Sequence, residues 1–146
     1  MPTARRLALP LLLASALLAG CAAPPLTSSV AAEIGYEALG PYMQYDDKFL
    51  MAWVPGTAAQ QPAVAQQLTA ELAGLLAQGA RRPVFVAVSG EDSAFTARLI
   101  REACAQVTGE VPNLRMVFVG NPAHAEEARS AVLARCGTFY FEPVPK

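Results

Sequence analysis

Residues 84–92 read VFVAVSGED, a run of five apolar residues followed by small and acidic ones. An apolar run of this length, ended by turn residues, predicts a strand that is buried on both faces, as in a parallel sheet. Ser89-Gly-Glu-Asp92 resembles a capping box, in which Ser89 accepts a hydrogen bond from an amide of the first helical turn. The helix predicted to follow ends at Gly109. Its apolar stripe consists of Phe95, Leu99, Ala103 and Val107.

The alternation of strand and helix continues on both sides of this stretch. Three further short apolar runs predict strands, at residues 49–54, 114–119 and 138–141. A second helix is predicted from Val64 to about Gly79, and a third begins with Asn121 as its N-cap and ends at Gly137. Four strands alternating with three helices give the pattern βαβαβαβ, which predicts an α/β fold with a small, mostly parallel sheet.

Two strand orders fit right-handed crossovers. The doubly wound order 2-1-3-4 places helices on both faces of the sheet, as the strand at residues 84–88 requires, and we predict this order. The order 1-2-3-4 would place all three helices on one face. The other face would then be left for the N-terminal segment at residues 34–45 to cover.

Composition limits the classes of function. The chain has 146 residues, enough for one domain, with 53% hydrophobic and 16% charged residues. Eleven basic residues against twelve acidic ones give a net charge of −1. This balance excludes a nucleic-acid binder that works through a basic surface, and the apolar content excludes a disordered chain.

The N-terminus has the pattern of an export signal. Arg5 and Arg6 precede an apolar run of about a dozen residues from Leu7 to Leu18, which is too short to span a bilayer. The run ends in Leu18-Ala19-Gly20-Cys21. This sequence resembles the lipobox of bacterial lipoproteins, in which the cysteine is diacylated and becomes the mature N-terminus. The resemblance implies lipidation at Cys21 and attachment to a membrane. Ala22 in place of an aspartate implies, by likeness to enteric sorting rules, the outer membrane and a protein that faces the periplasm.

The chain therefore divides into three parts. Residues 1–20 are the predicted signal peptide, residues 21–45 the lipidated N-terminus with a tether and a tyrosine-rich strap, and residues 46–146 one α/β domain. We predict a linker at residues 22–32 because this stretch is small and polar, with no apolar period.

The strap at residues 34–45 is predicted to be irregular because of Gly35, Gly40 and Pro41. It carries three tyrosines, Tyr36, Tyr42 and Tyr45, which either dock on a protein partner or fold back over the domain's own apolar surface. We favour the second interpretation. Phe139, in the last predicted strand, either recruits another chain by strand addition or packs in the core, which is the commoner arrangement.

Two cysteines remain besides Cys21. In an exported protein, Cys104 and Cys136 either form a disulfide or stay as two buried free thiols, and the sequence leaves both open. His124 lies in the first turn of its helix, whereas each cysteine lies near the C-terminal end of its own helix. The imidazole is therefore too far from either thiol to act as its base. One histidine and two separated thiols do not make a zinc site either. We therefore predict no catalytic residues, no metal and no cofactor.

A ligand site, if the domain has one, is predicted at the carboxyl ends of the strands, where open α/β sheets bind ligands. The candidate residues of this crevice are Thr57, Ser89, Asp92, Asn121 and His124. Each of the polar candidates also suits a local role, such as capping a helix or complementing its dipole.

Size and plan resemble the small lipoproteins of conjugation and type IV secretion apparatus, which also have a lipobox, a short tether and one small domain. The resemblance implies a non-enzymatic accessory or assembly component of an envelope complex, with a protein partner and no nucleic acid. The alternative is a periplasmic module that binds a solute or peptidoglycan in the crevice at the carboxyl ends of the strands.

Overall fold

A four-stranded parallel sheet lies at the centre of the structure, a computed structural model that describes residues 25–146. The strands are β1 (Phe49–Val54), β2 (Val84–Gly90), β3 (Leu114–Gly120) and β4 (Thr138–Pro143). The helices are α1 (Ser28–Leu39), α2 (Pro62–Ala77), α3 (Ser93–Gln106) and α4 (Ala125–Leu133). The predicted α/β class is confirmed. The predicted signal peptide and the lipobox with Cys21 lie outside the described residues.

The strand order is β1-β2-β3-β4, so the predicted order 2-1-3-4 is wrong. All three pairings are parallel, with Phe49 opposite Phe85, Val84 opposite Leu114, and Arg115 opposite Thr138. The prediction failed because it counted only three helices and divided them between two faces. The structure has a fourth helix, α1, and this helix covers the second face. The crossover helices α2, α3 and α4 can therefore all lie on the first face.

Helices α2, α3 and α4 pack together on the first face of the sheet, where the larger part of the core lies. The alternate residues of β2 and β3 that point to this side include Val86, Val88, Met116 and Phe118, each with no exposed surface. Their neighbours along the strands point to the opposite side, where Phe85, Ala87, Val117 and Val119 are also buried. The central strands are thus apolar on both faces, as predicted from the sequence of β2.

Helix α1 covers the second face and contacts all four strands. Its buried residues Ala31, Gly35 and Leu39 are spaced four apart, so they lie along one side of the helix. Gly35 permits a close approach, because a Cβ atom there would collide with Cβ of Ala87 and would lie 3.3 Å from Cζ of Phe49. The predicted linker at residues 22–32 and irregular strap at residues 34–45 are therefore corrected: most of the described part is helix.

The N-cap of α3 is a second correction. Asp92, not Ser89, caps this helix, because its Oδ1 accepts a hydrogen bond from the backbone N–H of Phe95 at 2.9 Å. Ser89 lies inside β2, fully buried, and its hydroxyl donates to the carbonyl of Val119 on β3 at 2.7 Å. The strand continues two residues further than the apolar run because a buried serine can donate to its neighbouring strand.

Within residues 25–146, no helix has the length and apolar character needed to cross a bilayer.

Candidate functional site

The residues predicted to bind a ligand do lie together at the carboxyl edge of the sheet, but local contacts occupy most of them. Ser89 is buried and Asp92 caps α3, as described above. Asn121 accepts a hydrogen bond from the backbone N–H of Ala123 at 2.9 Å and so caps the turn that contains His124. Thr57 lies exposed on the turn at Gly56–Gln60.

The loops at this edge also pack directly against each other. A Cβ atom at Gly90 would collide with the carbonyl oxygen of Val54, and one at Gly56 would lie 2.7 Å from Oε2 of Glu91. The backbone N–H of Asn121 donates to the hydroxyl of Ser93 at 3.0 Å, which ties the loop after β3 to the start of α3. An order of 1-2-3-4 also lacks the switch point at which such sheets open a crevice.

The largest of the four clearest clefts among the described residues lies at the opposite, amino edge of the sheet, with a volume of about 430 Å³. It opens beside the first residues of β2 and β3. Its polar lining consists of Tyr42, Gln44, Asp46, Asp47, Asn113 and Arg115. A neighbouring cleft of about 290 Å³ shares Asp46, Asp47 and Pro83 with it and extends to Lys48 and Arg82. We refer to the larger one as the amino-edge cleft.

Arg115 is held at this cleft by two tyrosines. Its Nη1 donates to the hydroxyl of Tyr140 at 3.0 Å, and its guanidinium carbon lies 5.0 Å from the centre of the Tyr42 ring. The two rings are stacked, with centroids 5.1 Å apart. A cation over an aromatic face is attracted by the ring quadrupole, so Tyr42 and Tyr140 fix the position of the guanidinium. We call these three residues the arginine clamp.

Sequence reasoning missed the arginine clamp, although one signal was present. Arg115 is the single charged residue in the run LRMVFV at residues 114–119. A charge in an otherwise buried strand is rare unless it is paired or lies at an end of the sheet. The partners of Arg115 lie 73 and 25 positions away along the chain, so the contacts themselves follow only from the tertiary structure.

The structure separates the four residues predicted to dock on a partner. Tyr45 is fully exposed, Tyr36 is 56% exposed and lies edge-to-face against Phe49, and Tyr42 belongs to the arginine clamp. Phe139 is buried, so it packs in the core on the first face and offers no surface to a second chain. All three tyrosines keep exposed surface, with Tyr42 47% exposed, and those outside the arginine clamp are Tyr36 and Tyr45.

Both cysteines within residues 25–146 are free thiols, so the possible disulfide is absent there. Cys104 is buried, and this burial raises the pKa of its thiol to about 11, although the charge of Arg135 lowers it in part. Cys136 is exposed and has a positive φ of 61°. The pKa of its thiol is also raised, by desolvation and by the Glu110 carboxylate. Raised thiol pKa values disfavour the reactive thiolate.

The described residues contain no group of three or more histidine, cysteine, aspartate or glutamate side chains that could hold a metal ion. The amino-edge cleft instead combines one fixed guanidinium with carboxylates, an arrangement suited to the recognition of charged groups.

No protein-family model, no curated protein and no solved structure matches the chain.

Proposed function

We propose that this protein is a lipoprotein of the bacterial envelope, acylated at Cys21, that acts as a non-enzymatic accessory or assembly component of a membrane-associated complex. The observation that carries the proposal is the sequence Leu18-Ala19-Gly20-Cys21 directly after an apolar run of signal-peptide length. The complex would be of the kind that small lipoproteins serve in secretion or conjugation.

The start of α1 supports a domain held close to the membrane. Ser28, the first residue of this helix, follows Cys21 by seven positions. At a maximum of about 3.6 Å per residue, the chain from Cys21 to Ser28 reaches no further than about 25 Å. The proposed tether is therefore shorter than the sequence suggested, and the acylated protein would stay at the lipid surface.

Acylation is tested with the full-length chain expressed in a bacterium that has the lipoprotein pathway. We expect mass spectrometry to find the diacylglyceryl group on Cys21 and cell fractionation to find the protein in the outer membrane. Cys21→Ser should abolish both results. Cys136→Ser is the matched control, since it removes an exposed thiol from the domain and should leave both unchanged. An unmodified thiol at Cys21, with the protein free in the periplasm, would contradict the proposal.

A protein partner is supported by Tyr36 and Tyr45, because exposed tyrosines are enriched at protein interfaces. We expect crosslinking in intact cells to capture a stoichiometric membrane complex. The double variant Tyr36→Ala, Tyr45→Ala should lose this complex. Leu133→Ala is the control, because Leu133 is an exposed apolar residue, 49% exposed against 56% for Tyr36, and lies on α4, which packs on the first face of the sheet. Equal capture of both variants would place the docking surface elsewhere.

A further inference from the structure

Arg115 is a half-buried cation whose charge is not neutralised within the domain. It forms no ion pair with any residue from 25 to 146. Only one of its N–H donors, on Nη1, has an acceptor in that part of the chain, the hydroxyl of Tyr140. A guanidinium carries five N–H donors, and the amino-edge cleft lies beside it. The remaining donors are therefore available to a ligand in the cleft.

The arginine clamp makes Arg115 suited to a carboxylate. The planar fork of a guanidinium matches the two oxygens of a carboxylate, and charge-assisted hydrogen bonds of this kind are stronger than neutral ones. Stacking on Tyr42 and the bond to Tyr140 hold the side chain in place before a ligand arrives. Little conformational entropy is then lost on binding.

The other charges of the cleft select against a simple anion. Asp46 and Asp47 line the same cleft and would repel phosphate or another ligand that carries only negative charge. Asp47 is held within its own turn, because its Oδ2 accepts a hydrogen bond from the backbone N–H of Gln44 at 2.7 Å. Asp46 is exposed and accepts no hydrogen bond from residues 25–146, which leaves its carboxylate available to an ammonium group.

We propose that the amino-edge cleft is a binding site for a short peptide that has a free C-terminal carboxylate, held by Arg115, and an ammonium group, held by Asp46. The cleft of about 430 Å³ falls within the usual range for small-molecule sites and suits a ligand of two or three residues. The site is formed by the described residues alone, so the inference does not depend on acylation at Cys21.

The test is calorimetric titration of the full-length chain in a neutral detergent with three matched probes. The first is N-acetyl-Lys-Gly-Gly with a free carboxylate, the second is its C-terminal amide, and the third has norleucine in place of lysine. We expect the first probe to bind and each of the others to bind about tenfold or more weakly, because each lacks one charged contact. Equal affinity for the amide, or equal affinity for inorganic phosphate, would overturn the proposal.

Three variants separate a binding role from a structural one. Arg115→Gln should weaken binding of the first probe about tenfold or more. The melting temperature of this variant shows whether the fold is kept. Asn113→Asp adds a carboxylate beside Arg115 on an exposed residue, without loss of packing, and should also weaken binding. Arg98→Gln is the control, because Arg98 lies 5.2 Å from the Phe95 ring but outside the cleft. Unchanged affinity in both Arg115→Gln and Asn113→Asp would refute the site.

Discussion

Gly35 fixes the distance between α1 and the sheet. Glycine costs stability within a helix, so its presence in the middle of α1 calls for a physical reason. The reason is contact, because the position of its missing Cβ is already filled by Ala87 and bordered by Phe49 and Val117. Helix α1 can cover the second face closely only if this residue has no side chain.

We therefore predict opposite effects for alanine at two helical glycines. Gly35→Ala should lower the free energy of unfolding by about 1–3 kcal/mol, since the added methyl group forces α1 away from the sheet. Gly74→Ala, in α2, should raise it by about 0.5–1 kcal/mol, because its Cβ would meet nothing within 4 Å. Urea unfolding followed by circular dichroism measures both. A stabilising Gly35→Ala would mean that α1 packs more loosely than described.

The two thiols of the domain should differ in accessibility. Native protein treated with iodoacetamide at pH 8 should be alkylated at Cys136, which is exposed, and not at Cys104, which is buried with a pKa of about 11. Because the pKa of Cys136 is also raised, its thiolate fraction at pH 8 is smaller than that of an ordinary cysteine, and its alkylation rate should keep rising above pH 9.

Mass spectrometry of the alkylated peptides gives both rates. In urea the two thiols should react equally fast, since unfolding removes the burial of Cys104. Rapid alkylation of Cys104 in the native protein would contradict the packing of α3 against α4.

At the scale of elements, the strands were predicted from the sequence and the N-terminal helix was missed. Each strand is a short apolar run between turn residues, a local signal that needs no knowledge of the rest of the chain. Helix α1 carries small residues, and Gly35 weakens its apolar pattern. Two signals could have indicated it: the spacing of Ala31, Gly35 and Leu39, and Thr27, whose hydroxyl caps the helix by accepting from the N–H of Val30 at 3.3 Å.

The missed helix also explains the wrong strand order. The apolar sequence of β2 correctly predicted that other elements cover both faces of the sheet. It does not indicate which element covers each face. The expectation of a ligand site at the carboxyl edge rested on the same assumed topology. The sequence directed attention to the carboxyl edge, which a switch point would have opened, whereas the polar cleft lies at the amino edge, where α1 ends and Tyr42 meets Arg115.

Helix α1 should behave as part of the cooperative core, and Leu39 tests this. Leu39 has no exposed surface, so Leu39→Ala should lower the free energy of unfolding by about 2–5 kcal/mol in one transition. The exposed Leu133 is the control, and Leu133→Ala should change the stability by less than about 0.5 kcal/mol. If Leu39→Ala unfolded in two separate transitions, α1 would instead be a segment attached to a domain that is stable without it.

For the molecule as a whole, the direction of α1 determines which edge of the sheet would face a membrane to which Cys21 is anchored. Tyr42 lies over Arg115 at the start of β3 and lines the amino-edge cleft together with Asn113, while Gly35 lies over Ala87 in the middle of β2. The helix therefore runs antiparallel to the strands, and Ser28 lies towards the carboxyl edge. If Cys21 is acylated as proposed, the carboxyl edge is tethered to the lipid and the amino-edge cleft opens away from it.

This orientation predicts a difference in distance from the bilayer between two labelled positions. Cys136 lies just before β4, at the amino edge, and accepts a maleimide dye without mutation. Ala123→Cys in a Cys136→Ser background places the same dye at the carboxyl edge, just after β3. A strand of seven residues spans about 23 Å, so energy transfer to acceptors in the lipid headgroups should be clearly more efficient from position 123. With the acylated protein in vesicles, equal energy transfer from the two positions would show that the domain turns freely on its tether. More efficient transfer from Cys136 would show that the amino-edge cleft lies against the lipid, where a peptide could not reach it.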